Sequence, residues 1–331
     1  MSAIKEMPLA KAITAALRDE LAADQKTLLI GEDIGALGGV FRVTDGLQAE
    51  FGTHRVIDSP LAESGIIGAC IGMAMRGYRP VAEIQFDGFV FPGFNQITTQ
   101  LAKMHSRTDG NIKVPVTIRL PYGGHVGSVE HHSESPEALF AHTAGLRIVA
   151  PSSPQDAYWM TRQAIVSDDP VIILEPKRRY WLKGEVDMEN PAPDASRAQV
   201  LREGTDATIA TYGPLVPVAL AAAEAARADH RSIEVVDIRS ISPLDDETIA
   251  RSAAKTQRLI VAHEAPTFGG IGGEIAARVA ERAYHRLLAP VLRVGGFHMP
   301  YPPSAQEHRY LPDIDRMLEA VERSFSYQRG A

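Results

Sequence analysis

Short apolar runs recur along this chain with helix-length patterns between them, and that repetition narrows the fold more than any other feature. Several runs are apolar at every position rather than at alternate ones. A strand needs that pattern when helices cover both faces of its sheet, as in a parallel sheet. Thr27–Ile30, Arg55–Ile57, Val81–Gln85, Val116–Arg119, Arg147–Ala150 and Val171–Leu174 read as strands. Helical patterns fill Leu9–Ala22, Glu63–Met75, Phe94–His105 and Asp156–Val166. Ser135-Pro136, Ser153-Pro154 and Ser242-Pro243 read as helix starts, because Ser caps free N–H groups and Pro suits the first helical position. The pattern breaks between Pro176 and Arg202, where Pro191, Pro193 and scattered charges mark a linker. It resumes with strands at Ala207–Thr211, Ile233–Asp237, Leu259–Ala262 and Val291–Val294. Helices at Pro214–Arg227, Leu244–Lys255, Gly273–Ala283 and Asp313–Glu322 separate them. The expectation is an α/β protein of two domains with mostly parallel sheets: residues 1–180, a linker at 181–201, and residues 202–331.

Composition excludes several function classes. A net charge of −7 argues against non-specific nucleic-acid binding. Cys70 is the single cysteine, so no intrachain disulfide forms, as fits a reducing compartment. The stretch from Met1 to Leu9 carries Lys5 and Glu6 and lacks the apolar core of a signal peptide. No apolar run reaches the ~18 residues of a membrane span. A cytoplasmic, bacterial-type or processed organellar protein is expected.

Four segments carry candidate chemistry. In Ser59–Met75, Glu63 is the only charged residue and opens a helix of small and apolar residues. Desolvation there disfavours the charged carboxylate, which suits a group that holds or shares a proton near neutral pH. The alternative is an acid that only complements the helix dipole. Gly65, Gly68 and Gly72 form a ridge that lets another backbone come close, within the domain or across a subunit contact. Gln85 and Asp87 end a strand and lead into Phe86, Phe89, Phe91 and Phe94. Ligands of open α/β sheets bind outside the carboxyl ends of strands, where a ring can stack on a flat heterocycle. Core filling is the commoner role of any one Phe.

Tyr122–Pro136 is rich in glycine and histidine. His125, His131 and His132 have no cysteine nearby and no His-x-x-x-His spacing, which argues against zinc. A loop histidine poised for proton transfer is the better functional reading. In Phe268–Glu274, Ile275 stands where a dinucleotide fingerprint has its third glycine, so a tight strand-to-helix turn is preferred to a phosphate loop.

Taken in order, seven fragments resemble the β subunits of 2-oxoacid dehydrogenase E1 components, members of the transketolase-like superfamily. They are Gly31-Glu-Asp33, Pro60-Leu-Ala-Glu-Ser64, Glu83-Ile-Gln-Phe-Asp-Gly88, His131-His-Ser133, Leu174-Glu-Pro-Lys177, Pro243-Leu-Asp245 and Gly269-Gly-Ile-Gly-Gly273. The resemblance covers nearly the whole chain. It implies a transketolase-like pyrimidine-binding domain followed by a transketolase C-terminal-like domain that carries subunit and E2 contacts. It implies thiamine diphosphate as cofactor, with Glu63 hydrogen-bonded to the aminopyrimidine ring nitrogen and sharing a proton there. Leu61, Gln85 and Phe89 match positions lining the pyrimidine pocket, Phe89 stacking on the ring. His132 matches the active-site histidine of the β chain, with roles in orienting substrate and assisting acyl transfer to the lipoyl group. Glu32 matches an acidic position near the subunit interface, either in an acidic path between two active sites or in a structural salt bridge.

The family holds the diphosphate and Mg²⁺ with a Gly-Asp-Gly segment. Asp45-Gly46, Asp87-Gly88 and Asp109-Gly110 all lack the preceding Gly. The resemblance therefore implies that an E1 α subunit holds both, in an α2β2 heterotetramer. A structural K⁺ site of some relatives would fall near Val114, Val116, Thr117, Ala164 and Asp169, with Ser167 where an acidic ligand is expected. The implied reaction is decarboxylation of a 2-oxoacid and reductive acylation of the lipoyl domain of an E2 acyltransferase, which also contributes a peripheral subunit-binding domain. Gln85-Phe-Asp-Gly-Phe89, His132-Ser-Glu-Ser-Pro136 and Glu175-Pro-Lys177 look more like branched-chain (3-methyl-2-oxobutanoate) enzymes than pyruvate ones, with acetoin a third alternative. The rivals from other classes are a self-sufficient transketolase-like enzyme and a non-catalytic E2-binding scaffold.

Overall fold

The computed structural model describes residues 4–327, and the chain divides into two compact units. The first takes the chain up to Tyr122 together with Leu139–Ala195, and the second takes Gly123–Ala138 together with the chain from Ser196 onward. Gly123–Ala138, inside the first domain by sequence position, thus groups with the second unit.

In the first unit the strands are β1 (Ile4–Pro8), β2 (Thr27–Gly31), β3 (Val56–Asp58), β4 (Arg79–Glu83), β5 (Thr117–Tyr122), β6 (Arg147–Val149), β7 (Val171–Pro176) and β8 (Lys183–Asp187). They lie in the order β6-β7-β5-β4-β2-β3, and every neighbouring pair is parallel. Both faces of such a sheet are covered, which is why β2, β5 and β7 are buried along their whole length. In chain order the helices are α1 (Leu9–Ala23), α2 (Leu47–Phe51), α3 (Glu63–Met75), α4 (Ala102–Arg107), α5 (Glu137–Ala141) and α6 (Pro154–Val166). Leu9, Ile13, Leu17 and Leu21 recur every four residues on one face of α1 and pack with Tyr158 and Ile165 of α6. Each such side chain contributes about 1.5–3 kcal/mol by leaving water. Ser153 caps α6, its hydroxyl oxygen accepting from the Asp156 N–H at 3.1 Å, with Pro154 as the first helical residue.

In the second unit, β9 (Gln199–Arg202), β10 (Ala207–Thr211), β11 (Ile233–Asp237), a short β12 (Ser240–Ser242), β13 (Leu259–Pro266) and β14 (Leu292–Gly296) alternate with α7 (Val216–Ala225), α8 (Asp246–Thr256) and α9 (Ile271–Ala283). The chain continues through α10 (Glu307–Tyr310) and α11 (Ile314–Phe325). The sheet order is β14-β13-β10-β11-β9, parallel except where β9 meets β11.

Three local expectations change. The stretch 181–201 carries β8, paired antiparallel with β1, and the start of β9. Lys5, Glu6, Lys183 and Glu185 give that exposed ribbon no apolar pattern, so backbone hydrogen bonds alone reveal it. Ser242-Pro243 is a cis peptide at the end of β12 rather than a helix start, and Asp245 caps α8 by accepting from the Thr248 N–H at 3.2 Å. The expected helix from Phe94 is a π turn at Gln96–Leu101 that leads into α4. Among the described residues, no helix is long and apolar enough to cross a membrane.

Candidate functional site

Glu63 begins α3 beyond the carboxyl end of β3 and is 9% exposed. The 3-10 turn Asp87–Gly93 lies directly on it. A side chain at Gly93 would come within 3.2 Å of the Glu63 carbonyl oxygen, so glycine is what lets turn and helix start meet. The same turn carries Phe89, whose ring stands edge-on to Phe86 at 5.7 Å. Gln85, just past β4, donates from Nε2 to the Glu32 carbonyl oxygen at 3.3 Å. Burial pushes the Glu32 carboxyl above its ordinary range, and repulsion from Asp33 and Glu63 adds to it. Glu32, Glu63, Gln85 and Phe89 are therefore gathered at the carboxyl ends of β2, β3 and β4. Leu61 stands apart from the packed set, 72% exposed. Leu37, Val40 and Phe91 are also exposed apolar residues of this unit.

The glycine ridge settles which face of α3 does the packing. Ile66, Ile67, Cys70, Ile71 and Ala74 are buried, and burial pushes the Cys70 thiol up to about 12. A Cβ at Gly68 or Gly72 would meet nothing within 4 Å. Packing within the domain therefore does not explain these glycines.

A buried ionic cluster that sequence reasoning missed lies at the ends of β4, β5 and β7. Arg119 forms a two-pronged pair with Glu175, Nε to Oε1 at 2.7 Å and Nη2 to Oε2 at 2.9 Å, and also donates to Glu83. The Tyr180 hydroxyl donates to Glu175 Oε2 at 2.6 Å. Lys177 is paired with Asp87 and sits 5.5 Å from the centre of the Phe86 ring. Burial raises the Glu83 carboxyl more than Arg119 lowers it, with Glu175 adding repulsion. The cluster fixes Asp87 and Phe86, and through them the turn that bears Phe89. The one signal in the sequence was a charged residue within an apolar strand run.

His132 belongs to the second unit, in the short turn Glu130–His132. Its ring lies 4.4 Å from that of His131, and His131 faces Glu130 at 3.9 Å. The loop closes at its base, where the Gly123 N–H donates to the Glu134 carbonyl oxygen at 2.9 Å. Burial pushes the Glu134 carboxyl up, with Glu130 adding repulsion and His131 opposing it.

The residues matched to a K⁺ site make ordinary contacts. The Val116 and Ala164 carbonyl oxygens accept from the N–H groups of Val171 and Ser167, at 3.0 and 3.2 Å. Val114 O accepts from Val116 N–H at 2.7 Å, Thr117 opens β5, and the Asp169 carboxylate meets His105 Nδ1 at 3.0 Å.

The Gly269–Gly273 turn is explained by His263. A side chain at Gly270 or Gly272 would come within 2.7 or 2.8 Å of that buried ring. Nδ1 lies 2.9 Å from the Ala265 carbonyl oxygen, which only accepts, so Nδ1 carries the hydrogen of the neutral ring. Burial pushes the ring down to about 4 from an ordinary 6.5. The unfolded chain takes up a proton as pH falls through that ordinary value, whereas the folded ring does not. The contribution is therefore complete above the unfolded value and is lost as pH falls towards the folded one, by up to about 3 kcal/mol. Denaturant titrations at neutral and acid pH should show His263→Asn losing less stability between the two than the natural chain. Equal losses would contradict a ring held neutral.

Residues 5–181 match the family described as the transketolase pyrimidine binding domain, and residues 196–317 the transketolase C-terminal domain. The chain is 62% identical over 326 residues to a pyruvate dehydrogenase E1 component subunit beta of Leifsonia xyli, covering 98% of this chain and 96% of that protein. It is 51% identical over 320 residues to a 3-methyl-2-oxobutanoate dehydrogenase subunit beta of Mycobacterium tuberculosis, covering 96% and 92%. A solved structure described as a split gene transketolase, inactive beta4 tetramer, has the same fold, with a TM-score of 0.81 at 22% identity, covering 98% of this chain and 99% of that one.

Proposed function

The chain belongs to the β subunits of 2-oxoacid dehydrogenase E1 components, a thiamine-diphosphate-dependent family, and from that premise we propose that it supplies the pyrimidine half of an active site. An E1 α subunit completes the site in an α2β2 enzyme. The enzyme decarboxylates a branched-chain 2-oxoacid and reductively acylates the lipoyl group of E2. The observation that carries this reading is the gathering of Glu63, Gln85, Phe89 and Glu32 at the strand ends, with Leu61, two residues before Glu63 in the chain, 72% exposed. An exposed leucine next to a nearly buried acid suits half a pocket.

The residues fit the pyrimidine end of the cofactor. Glu63 would hold and return a proton at the aminopyrimidine ring nitrogen, Phe89 would offer a stacking face, and Leu61 and Gln85 would line the ring's edge. When bound, thiamine diphosphate supplies the nucleophilic carbon that adds to the keto group. His132 would orient the substrate and move a proton during transfer to the lipoyl group. Among the described residues, no group of three or more His, Cys, Asp or Glu could hold a metal ion. Because no Asp-Gly pair of this chain has the preceding Gly, Mg²⁺ and the diphosphate are assigned to the α subunit, and a structural K⁺ near Val114, Val116, Thr117, Ala164 and Asp169 belongs to the same reading. The C-terminal domain would carry the E2 contact.

The isolated chain should bind thiamine diphosphate weakly. Calorimetry giving micromolar or tighter affinity, roughly 8 kcal/mol or more, would show that it holds the whole cofactor by itself.

The substrate is tested by comparing kcat/KM for 3-methyl-2-oxobutanoate and pyruvate in enzyme assembled with its α chain. The Mycobacterium relative bears the former name and the Leifsonia relative the latter, which keeps pyruvate as the second reading. A branched-chain pocket should favour the larger acid by about tenfold or more. The opposite ratio would assign the chain to pyruvate.

A further inference from the structure

The loop that carries His132 is held at its mouth by the second unit. Three successive backbone N–H groups point into a cradle of acceptors. The Gly123 N–H closes the loop onto Glu134, and the Gly124 N–H donates to Glu264 Oε2 at 3.1 Å. The His125 N–H is shared between the Tyr301 hydroxyl and Glu307 Oε2, each at 3.2 Å. Tyr301 in turn donates to Glu307 at 2.9 Å. Gly123 and His125, on either side of Gly124, both have positive φ.

This cradle explains the double glycine. A side chain at Gly123 would come within 2.7 Å of Glu264 Oε2, and one at Gly124 would overlap the Tyr301 hydroxyl. Glu264 and Tyr301 are buried, 4% and 6% exposed. Burial keeps the Tyr301 phenol above its ordinary range, so it remains a donor to Glu307. The returning stem of the loop is tied to the same unit, the Tyr212 hydroxyl donating to Glu137 at 2.6 Å. Between the stems Val126, Gly127, Val129, Glu130 and His131 are exposed, so the mouth is where the loop's path is set.

We propose that Glu264, Tyr301 and Glu307 are positioning residues for His132, acting through the backbone N–H groups of Gly124 and His125. The proposal rests on the role given to His132 above and adds what holds it in place. Displacing a reacting group by about 1 Å costs on the order of 100-fold in rate, so a loosened mouth should reach the chemistry without touching the cofactor.

The test uses full-length chain assembled with its α chain. Tyr301→Phe keeps the ring and removes the hydroxyl, Glu264→Ala removes the acceptor, and Glu264→Gln keeps an acceptor oxygen. Hydrogen exchange across residues 123–128 should speed up by roughly tenfold or more in the first two variants. Acylation of a lipoylated domain, per bound thiamine diphosphate, should fall in the same two by roughly 10- to 100-fold. Their cofactor affinity should stay within about threefold. Glu264→Gln should restore both exchange and acylation. Unchanged exchange, normal acylation with fast exchange, or cofactor affinity falling in step with acylation would each overturn the proposal. If the natural enzyme fails to acylate the lipoylated domain from any 2-oxoacid supplied, the functional reading itself fails. Active natural enzyme with unaffected variants sinks only the positioning role.

Discussion

Glu63→Gln should give an enzyme that assembles normally with its α chain and turns over about 1,000-fold more slowly, the middle of the range for losing a positioned acid or base. Glutamine fills the same space at the start of α3 and still accepts and donates hydrogen bonds, so Gly93 and the Asp87–Gly93 turn keep their seat. What disappears is the ability to pass a proton back and forth at one atom. The informative measurement is decarboxylation with an artificial electron acceptor, which bypasses E2, together with size measurement of the assembled enzyme. Turnover within tenfold of the natural chain would leave Glu63 as no more than a helix-start acid, the alternative its position also allows.

Arg119→Met should destabilise the first unit by about 3–5 kcal/mol, as when one partner of a buried ion pair is removed. Methionine replaces much of the volume, so the loss reports charge rather than a cavity. Glu175 would keep the Tyr180 hydroxyl but lose both prongs of the guanidinium, and Glu83 would lose the Arg119 charge that it meets. Denaturant unfolding measures the effect. Adding Glu175→Gln to the variant should recover part of it, because the stranded negative charge goes too. A loss below 1 kcal/mol would mean that the cluster relaxes or admits water.

How far the sequence carried the fold depended on where each signal was local. The doubly covered strands announced themselves, and Ala207–Thr211, Ile233–Asp237 and the helix Glu63–Met75 lie where their patterns put them. β1 and β8 left no trace, because an exposed ribbon with Lys and Glu on its strands has no apolar period to find. Ser242-Pro243 misled because the same dipeptide serves a helix start and a cis turn, and only Asp245 distinguishes them. For the candidate site, local company and family resemblance single out Glu63, Gln85 and Phe89, which the fold gathers at the strand ends. Arg119 was not, since its partners Glu83 and Glu175 stand 36 and 56 residues away and meet it only when parallel strands align.

The histidine loop is made long before the groups that hold it. Glu264 follows Gly124 by 140 residues and Glu307 follows His125 by 182. A ribosome adding about 5–20 residues each second therefore presents the loop several seconds ahead of its anchors. During that interval the strands β2 to β7 can pair while the Gly124 and His125 N–H groups still await Glu264, Tyr301 and Glu307. A prematurely terminated chain ending after β7 would retain Glu63, Gln85 and Phe89 and lack Glu264, Tyr301 and Glu307. If Glu307 positions His132 as proposed, competence for the histidine's step would arrive only with translation of the final tenth of the chain or so, where Glu307 lies. On the role proposed for His132, incomplete products of synthesis would be kept from acyl transfer by the order in which the message is read.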